Sequence, residues 1–236
     1  MQVVILRNRL WWQLLCIGLL ILLLFYLIGV GNFSLHRPSP NEIVNKAISN
    51  LEAAYSYRYL LRAHSVVDGQ DTFLLDIEGI WNRPDHYYIK GETLSNPLEA
   101  YIIGEEFIVK DPEGEWLHFK GGPSLVRETI SFSASPLADL TYLHSPAIAA
   151  EKMYKGKKCY IIEGVLASVS NPLWQAFWQN FSCRLWIDKK ELKLLQMDLH
   201  GQSIGSDDTL SVCVELYDYD GNFAIRPPET VNNSEE

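Results

Sequence analysis

No two histidines in this chain stand at metal-ligand spacing. His36, His64, His86, His118, His144 and His200 are scattered singly. Without an H-x-x-x-H or H-E-x-x-H pair to set two ligands on one helical face, metal and acid–base chemistry both lack their usual signature. Cysteine is sparse as well: Cys16, Cys159, Cys183 and Cys213 share no CxxC or other metal-like spacing. Cys16 falls in an apolar run, which leaves three thiols beyond it. One disulfide with one free thiol and three buried thiols both fit that count. Positive charge is in short supply too, with 20 Lys and Arg against 29 Asp and Glu, and none of it lies between Arg9 and Arg37.

That gap in charge contains the strongest signal. Leu10 to Val30 reads LWWQLLCIGLLILLLFYLIGV, with Gln13 its only strongly polar side chain. At about 1.5 Å rise per residue such a helix covers roughly 30 Å, the thickness of a hydrocarbon core. It also satisfies its own backbone there. Trp11 and Trp12 suit the water–lipid interface, and Arg7 and Arg9 place the N-terminus in the cytoplasm by the positive-inside rule. The expected organisation is a cytoplasmic N-terminus (1–9), a transmembrane anchor (10–30), a short linker (31–38), an extracytoplasmic domain (39–228) and a disordered tail (229–236). A cleaved signal peptide ending near Gly29-Val30-Gly31 is the rival reading. Lipid modification of Cys16 is disfavoured by bulky Leu15, where a lipobox needs a small residue. Without Arg7 and Arg9, the exported part carries about −11, a balance that repels nucleic acid and anionic lipid heads. Roughly 200 residues suffice for one core.

Ser39-Pro40-Asn41-Glu42 is a helix start, with Ser39 as N-cap, Pro40 at the first helical position and Glu42 closing a capping box. Ile43, Val44, Ala47, Ile48, Leu51 and Tyr55 then recur at helical spacing. The period changes to two in Tyr57, Tyr59, Leu61, Ala63 and Val67, and an Asp68-Gly69 turn leads into Thr72 to Asn82. This predicts a long hairpin with Phe73, Leu75, Ile77 and Trp81 on one face. Shorter strands follow at 86–92, 98–103, 106–111 and 115–120, an antiparallel meander. Residues 121–146 interrupt it with two apolar segments, 125–130 and 137–143, read as short helices or a covering loop. Strands resume at 149–154 and 158–165. A short helix after Pro172 sets Trp174, Phe177, Trp178 and Phe181 on one stripe, and strands at 183–188, 192–200 and 210–217 complete about eleven.

Gly201-Gln202-Ser203-Ile204-Gly205 matches G-x-S-x-G, yet a nucleophile elbow needs a helix after the Ser and a His later in the chain. Neither follows, so the segment reads as a hairpin loop and the chain as no enzyme. Asp207, Asp208, Glu215, Asp218 and Asp220 cluster about the last strand. They could bind Ca²⁺ or, as the blander reading, form a solvated edge that blocks strand addition. Asn32-Phe33-Ser34 and Asn180-Phe181-Ser182 are formal N-glycosylation sequons. The aromatic stripe after Pro172 either packs the core or lies over a curved sheet and lines a cavity.

The order of capped helix, long hairpin, meander, helical interruption and closing strands resembles the LolA-like superfamily of periplasmic lipoprotein carriers. Cys183-Arg184-Leu185-Trp186-Ile187-Asp188-Lys189-Lys190, continuing into Leu192 to Met197, looks like its strand-turn-strand "WID" hairpin. Arg58 to Ala63 is similar to its first strand. The resemblance implies an α+β, mainly antiparallel fold in which a highly curved half-barrel sheet with covering helices encloses an apolar cavity. It also implies a non-enzymatic binding protein for a lipid, acyl chain or apolar peptide segment, needing no cofactor. The residues expected to line the cavity are Tyr57, Leu61, Phe73, Leu75, Trp174, Phe177 and Trp178. The expected partners are the membrane through residues 10–30 and a lipid or lipoprotein ligand, with no nucleic acid. The alternative is a scaffold or sensor for a cell-envelope enzyme or signalling protein.

Overall fold

Ser39 starts the first long helix as its capping box predicts. In the computed structural model, which describes residues 18–20, 38–120, 137, 143–166, 169, 172–228 and 232–233, Ser39 N–H donates to Glu42 Oε2 at 2.7 Å. Glu42 N–H returns a bond to Ser39 Oγ at 3.3 Å. Helix α1 (Pro40–Ala53) buries Ile43, Val44 and Ala47 on one face, and each buried aliphatic side chain of this size contributes about 1.5–3 kcal/mol. Asn50 in its last turn donates to the carbonyls of Glu191 at 3.0 Å and Leu192 at 2.9 Å, which pins the helix to a distant hairpin turn.

Two compact units divide the chain, Met1–Pro38 and Ser39–Glu236. In the first, Gly18, Leu19 and Leu20 are helical, and the rest of the expected 10–30 span lies outside the described residues. Among the described residues no helix is long and apolar enough to cross a membrane.

In the second unit, α1 is followed by β1 (Ser56–Val67), β2 (Gln70–Asn82), β3 (His86–Thr93), β4 (Asn96–Ile103), β5 (Glu106–Lys110) and β6 (Trp116–Lys120). Then come β7 (Leu143–Tyr154), β8 (Lys157–Leu166), α2 (Pro172–Phe177), β9 (Trp178–Asp188), β10 (Leu194–Ser203), β11 (Thr209–Tyr217) and the two-residue β12 (Asn232–Asn233). All belong to one curved open sheet in the order β12-β6-β5-β4-β3-β2-β1-β11-β10-β9-β8-β7. Every pairing is antiparallel except β12 with β6. The β1–β2 turn is made by Asp68 and Gly69, both at positive φ, as a two-residue hairpin of matching twist requires.

The inward face of the sheet is apolar, and the outward face is mixed, with a small buried cluster of Cys159, Ile161 and Leu195. Inward positions of β1 to β4 and β8 to β11 join Ile43, Val44 and Ala47 of α1 in the main core, which also takes in Leu137, between β6 and β7, and Val169, between β8 and α2. Helix α1 packs over β7, β9 and β10. The outward face carries ion pairs such as Arg62–Asp76 at 3.4 Å and Arg184–Glu163 at 2.6 Å.

Four expectations change. The stripe after Pro172 is not one helix: α2 ends at Phe177, and Trp178 and Phe181 belong to β9. The reason is cross-strand packing, since the Phe181 ring lies against Gly201 of β10, where a Cβ would sit 2.8 Å from its Cε1. Residues 143–148, read as apolar interruption and loop, are the first half of β7. The last long strand is no edge, because β11 lies between β1 and β10 in the middle of the sheet. Finally, Asn232 and Asn233, placed in the tail, pair with Leu117 and His118 of β6. The segment 125–130 lies outside the described residues.

Candidate functional site

The inward face of the sheet is continuously apolar and buried. One row crosses eight adjacent strands through paired residues: Leu98, Gly91, Ile77, Leu61, Val214, Met197, Leu185 and Ile162. Each is aliphatic or glycine, and all but Gly91 are buried. The row is covered by the protein's own core, so hydrocarbon would have to enter among these side chains, and an unpaired ion there would be penalised.

Beside the middle of the row, β1 presents tyrosines. Tyr57 stacks on Trp81 with ring centroids 4.9 Å apart, meets Tyr59 edge-on at 6.3 Å and lies 5.9 Å from Tyr219. Burial, then the neighbouring phenols, pushes the Tyr57 and Tyr59 hydroxyls well above the ordinary tyrosine value, so both stay neutral donors. Tyr219 Oη–H donates to Leu194 O at 2.6 Å. The tyrosines therefore bring hydroxyl groups, but no charge, to an otherwise hydrocarbon surface.

The seven residues expected to line a cavity separate into three groups. Tyr57, Leu61 and Leu75 are buried on the inward face. Trp174 of α2 and Trp178 at the start of β9 are partly buried and pack against the same core. Phe73 and Phe177 are elsewhere. A bulge in the β1–β2 register pairs Ala63 with Leu75 but His64 with Phe73, which turns Phe73 to the outer face, where its ring meets His64 edge-on at 5.8 Å. Phe177, at the end of α2, is 63% exposed.

The other sequence candidates also resolve. Cys159, Cys183 and Cys213 are all free thiols. Ser203 ends β10 and the loop after it leads directly into β11, so the G-x-S-x-G match is a hairpin. The acidic cluster is spread among separate partners. Asp208 accepts Asp68 N–H at 2.9 Å and Asp220 accepts Tyr55 N–H at 2.8 Å, while Asp218 pairs with Arg58 and Glu215 with Lys155.

Two features escaped the sequence reading. On the convex face Tyr88, Tyr101 and Trp116 form a chain of rings with centroids 4.8 and 5.4 Å apart, with Lys110 over the Trp116 ring. Their alternation with inward residues was legible, but the pairing that joins three strands was not. The second feature is a concentration of lysines on the turns that join β7 to β8 and β9 to β10.

No protein-family model matches the sequence, and no curated protein matches it. Solved structures do. Lipoprotein LppX from Mycobacterium tuberculosis superposes with a TM-score of 0.55 at 12% identity, over 78% of this chain and 96% of LppX. LprF from Mycobacterium bovis gives 0.56 at 13% identity, over 80% of this chain and 96% of its own. A LolA superfamily protein from Nitrosomonas europaea aligns over 80% of this chain and 96% of its own at 9% identity, with a TM-score of 0.36. The fold of residues 39–228 is that of LppX and LprF.

Proposed function

We propose that residues 39–228 form a non-enzymatic binding domain that holds a lipid, an acyl chain or an apolar peptide segment against the concave face, and that residues 10–30 tether it to the outer side of a membrane. The observation that carries this reading is the uncharged eight-strand row from Leu98 to Ile162. Hydrocarbon gains about 25 cal/mol per Å² on leaving water for such a surface. The Tyr57 hydroxyl would add a donor for an ester or amide group, and a few polar groups in an apolar lining are typical of ligand sites. The shared fold with LppX, a protein named as a lipoprotein, supports a setting at a membrane.

Native mass spectrometry of the chain, with extraction of bound lipid and titration of a fluorescent acyl probe, tests this directly. The expected result is a co-purifying lipid that the probe displaces. A chain free of lipid that also fails to bind the probe would sink the proposal.

The second reading is a scaffold or sensor that binds an envelope protein. It draws on the half-buried convex rings Tyr88, Tyr101 and Trp116, because aromatic side chains are favoured in protein contacts. Crosslinking from that face to a protein partner, with no lipid in the concavity, would favour it.

A further inference from the structure

The net charge of −9 conceals a polar distribution. Seven of the eleven lysines lie in two short segments: Lys152, Lys155, Lys157 and Lys158 in 151–158, and Lys189, Lys190 and Lys193 in 188–193. The only carboxylates in those segments are Glu151, Asp188 and Glu191. The fold brings the two together. Lys189 N–H donates to Lys158 O at 2.9 Å, Lys157 pairs with Asp188 at 3.3 Å, and Lys158 and Lys189 share Glu151 at 3.5 and 2.8 Å.

Two of the paired carboxylates, Asp188 and Glu215, are recessed beneath their cations, whereas Glu151, Glu191 and Asp220 stand more exposed than Lys189 and Lys193. Side-chain exposure is 6% at Asp188 and 18% at Glu215, against 45% for Lys157 and 60% for Lys155. At those two pairs the positive end faces outward, and Lys152 and Lys190 are exposed and carry no ion pair among the described residues. Aromatic faces orient three of the ammonium groups: Lys155 over Tyr154, Lys189 over Tyr160 and Lys193 over Tyr219, at 4.7–5.5 Å. A groove of about 390 Å³ opens beside them, with Lys155, Lys157 and Lys193 in its wall together with Glu191 and Asp218.

We propose that this pair of lysine-rich turns docks the domain on an anionic bilayer surface. Charge complementarity is the first argument: an ammonium near an anionic membrane strengthens binding about fivefold. The second is Met153, which is 67% exposed between Lys152 and Lys155. An apolar side chain surrounded by ammonium groups fits an interface where hydrocarbon begins just below a layer of phosphates. The third is position. Asn50 holds the end of α1 against the β9–β10 turn, and Ser39, where the chain enters the domain, lies about 16 Å away along the helix. The docking turns thus lie at the end of α1 away from the residue at which the chain enters the domain. The proposal stands whether or not the concave face holds a ligand.

The test uses the full chain reconstituted into neutral phosphatidylcholine vesicles. Labelled second vesicles are added, made either of phosphatidylcholine alone or with phosphatidylglycerol. The expected result is capture of the phosphatidylglycerol vesicles only, weakened by salt and more than tenfold weaker in a Lys152→Gln/Lys190→Gln chain. Met153→Asp, at an exposed site, should weaken capture without altering the fold seen by circular dichroism. Equal capture of neutral and anionic vesicles overturns the proposal, as does undiminished capture by the double variant. Binding of polyglutamate without capture of phosphatidylglycerol vesicles also overturns it, and would assign the turns to an acidic protein partner.

Discussion

The Tyr59 ring lies directly across Gly79, its antiparallel partner on β2, and occupies the space that any side chain there would need. A Cβ at residue 79 would collide with the ring carbons and hydroxyl of Tyr59, which is fully buried. Gly79 therefore serves as a slot for an aromatic ring on the concave face. Gly79→Ala is expected to destabilise the fold by about 1–3 kcal/mol, the usual cost of overpacking, read from urea midpoints. Tyr59→Leu in the same chain should remove much of that penalty, so a double-mutant cycle will show coupling. Additive effects would mean that the ring and the glycine do not meet.

Asp188 closes the β9–β10 hairpin. Its carboxylate accepts Lys190 N–H at 2.8 Å and pairs with Lys157 at 3.3 Å, with 6% of the side chain exposed. Burial pushes this carboxyl upward, but the backbone donors of Lys190 and Glu191 together with Lys157 outweigh it and hold it below its ordinary value. A carboxyl lowered on folding adds stability above its unfolded pKa and loses it as pH falls through the folded one. Asp188→Asn should cost about 1–3 kcal/mol at neutral pH. The gap from the parent should close in acid; a gap constant with pH would show that charge plays no part.

The thiols report burial in the opposite direction. Burial, followed by the Asp198 carboxylate, pushes Cys183 and Cys213 up to about 12, and burial likewise raises Cys159. Between the ordinary value of 9.0 and about 12 the folded chain keeps protons that the unfolded chain has lost. Stability from these groups is intact below pH 9 and falls as pH rises toward 12, and the raised phenols Tyr57 and Tyr59 act in the same sense at higher pH. A Cys16→Ser chain should show little reaction with a thiol reagent at neutral pH when folded and reaction of all three thiols in denaturant. Rapid labelling of folded Cys183 would contradict its placement on the inward face.

Local chemistry was what the sequence recorded best. The Ser39–Glu42 box, the Asp68-Gly69 hairpin and the alternation of Tyr57, Tyr59, Leu61 and Ala63 each depend on neighbours within a few residues, and each recurs in the fold. Features that depend on a partner strand were hidden. Phe73 reads as inward by counting twos from Leu75, and only the bulge against Ala63 and His64 reverses it. Trp178 and Phe181 fit a helical stripe until Gly201 offers a place for the Phe181 ring. The acidic residues near β11 look like an edge defence until the order of the sheet places that strand at its centre. The lysine-rich turns were visible as residues, but their meeting across Lys158 and Lys189 was not.

The separation of the aromatic residues gives a selective prediction for ligand binding. Trp174 and Trp178 pack against the core that continues into the concave row, whereas Phe73 faces out and Phe177 is exposed. An acyl chain held on the concave face should approach the first pair and leave the second untouched. Trp174→Phe and Trp178→Phe are expected to weaken a fluorescent acyl probe by several-fold, while Phe73→Ala and Phe177→Ala change its affinity less than twofold, roughly the scale of surface substitutions. Binding to the parent should also alter tryptophan emission, and that change should shrink in the two Trp variants. If Phe177→Ala proves as damaging as Trp178→Phe, the probe is held outside the sheet. An exposed ring then contributes through its own surface, and the concave row would no longer explain the binding.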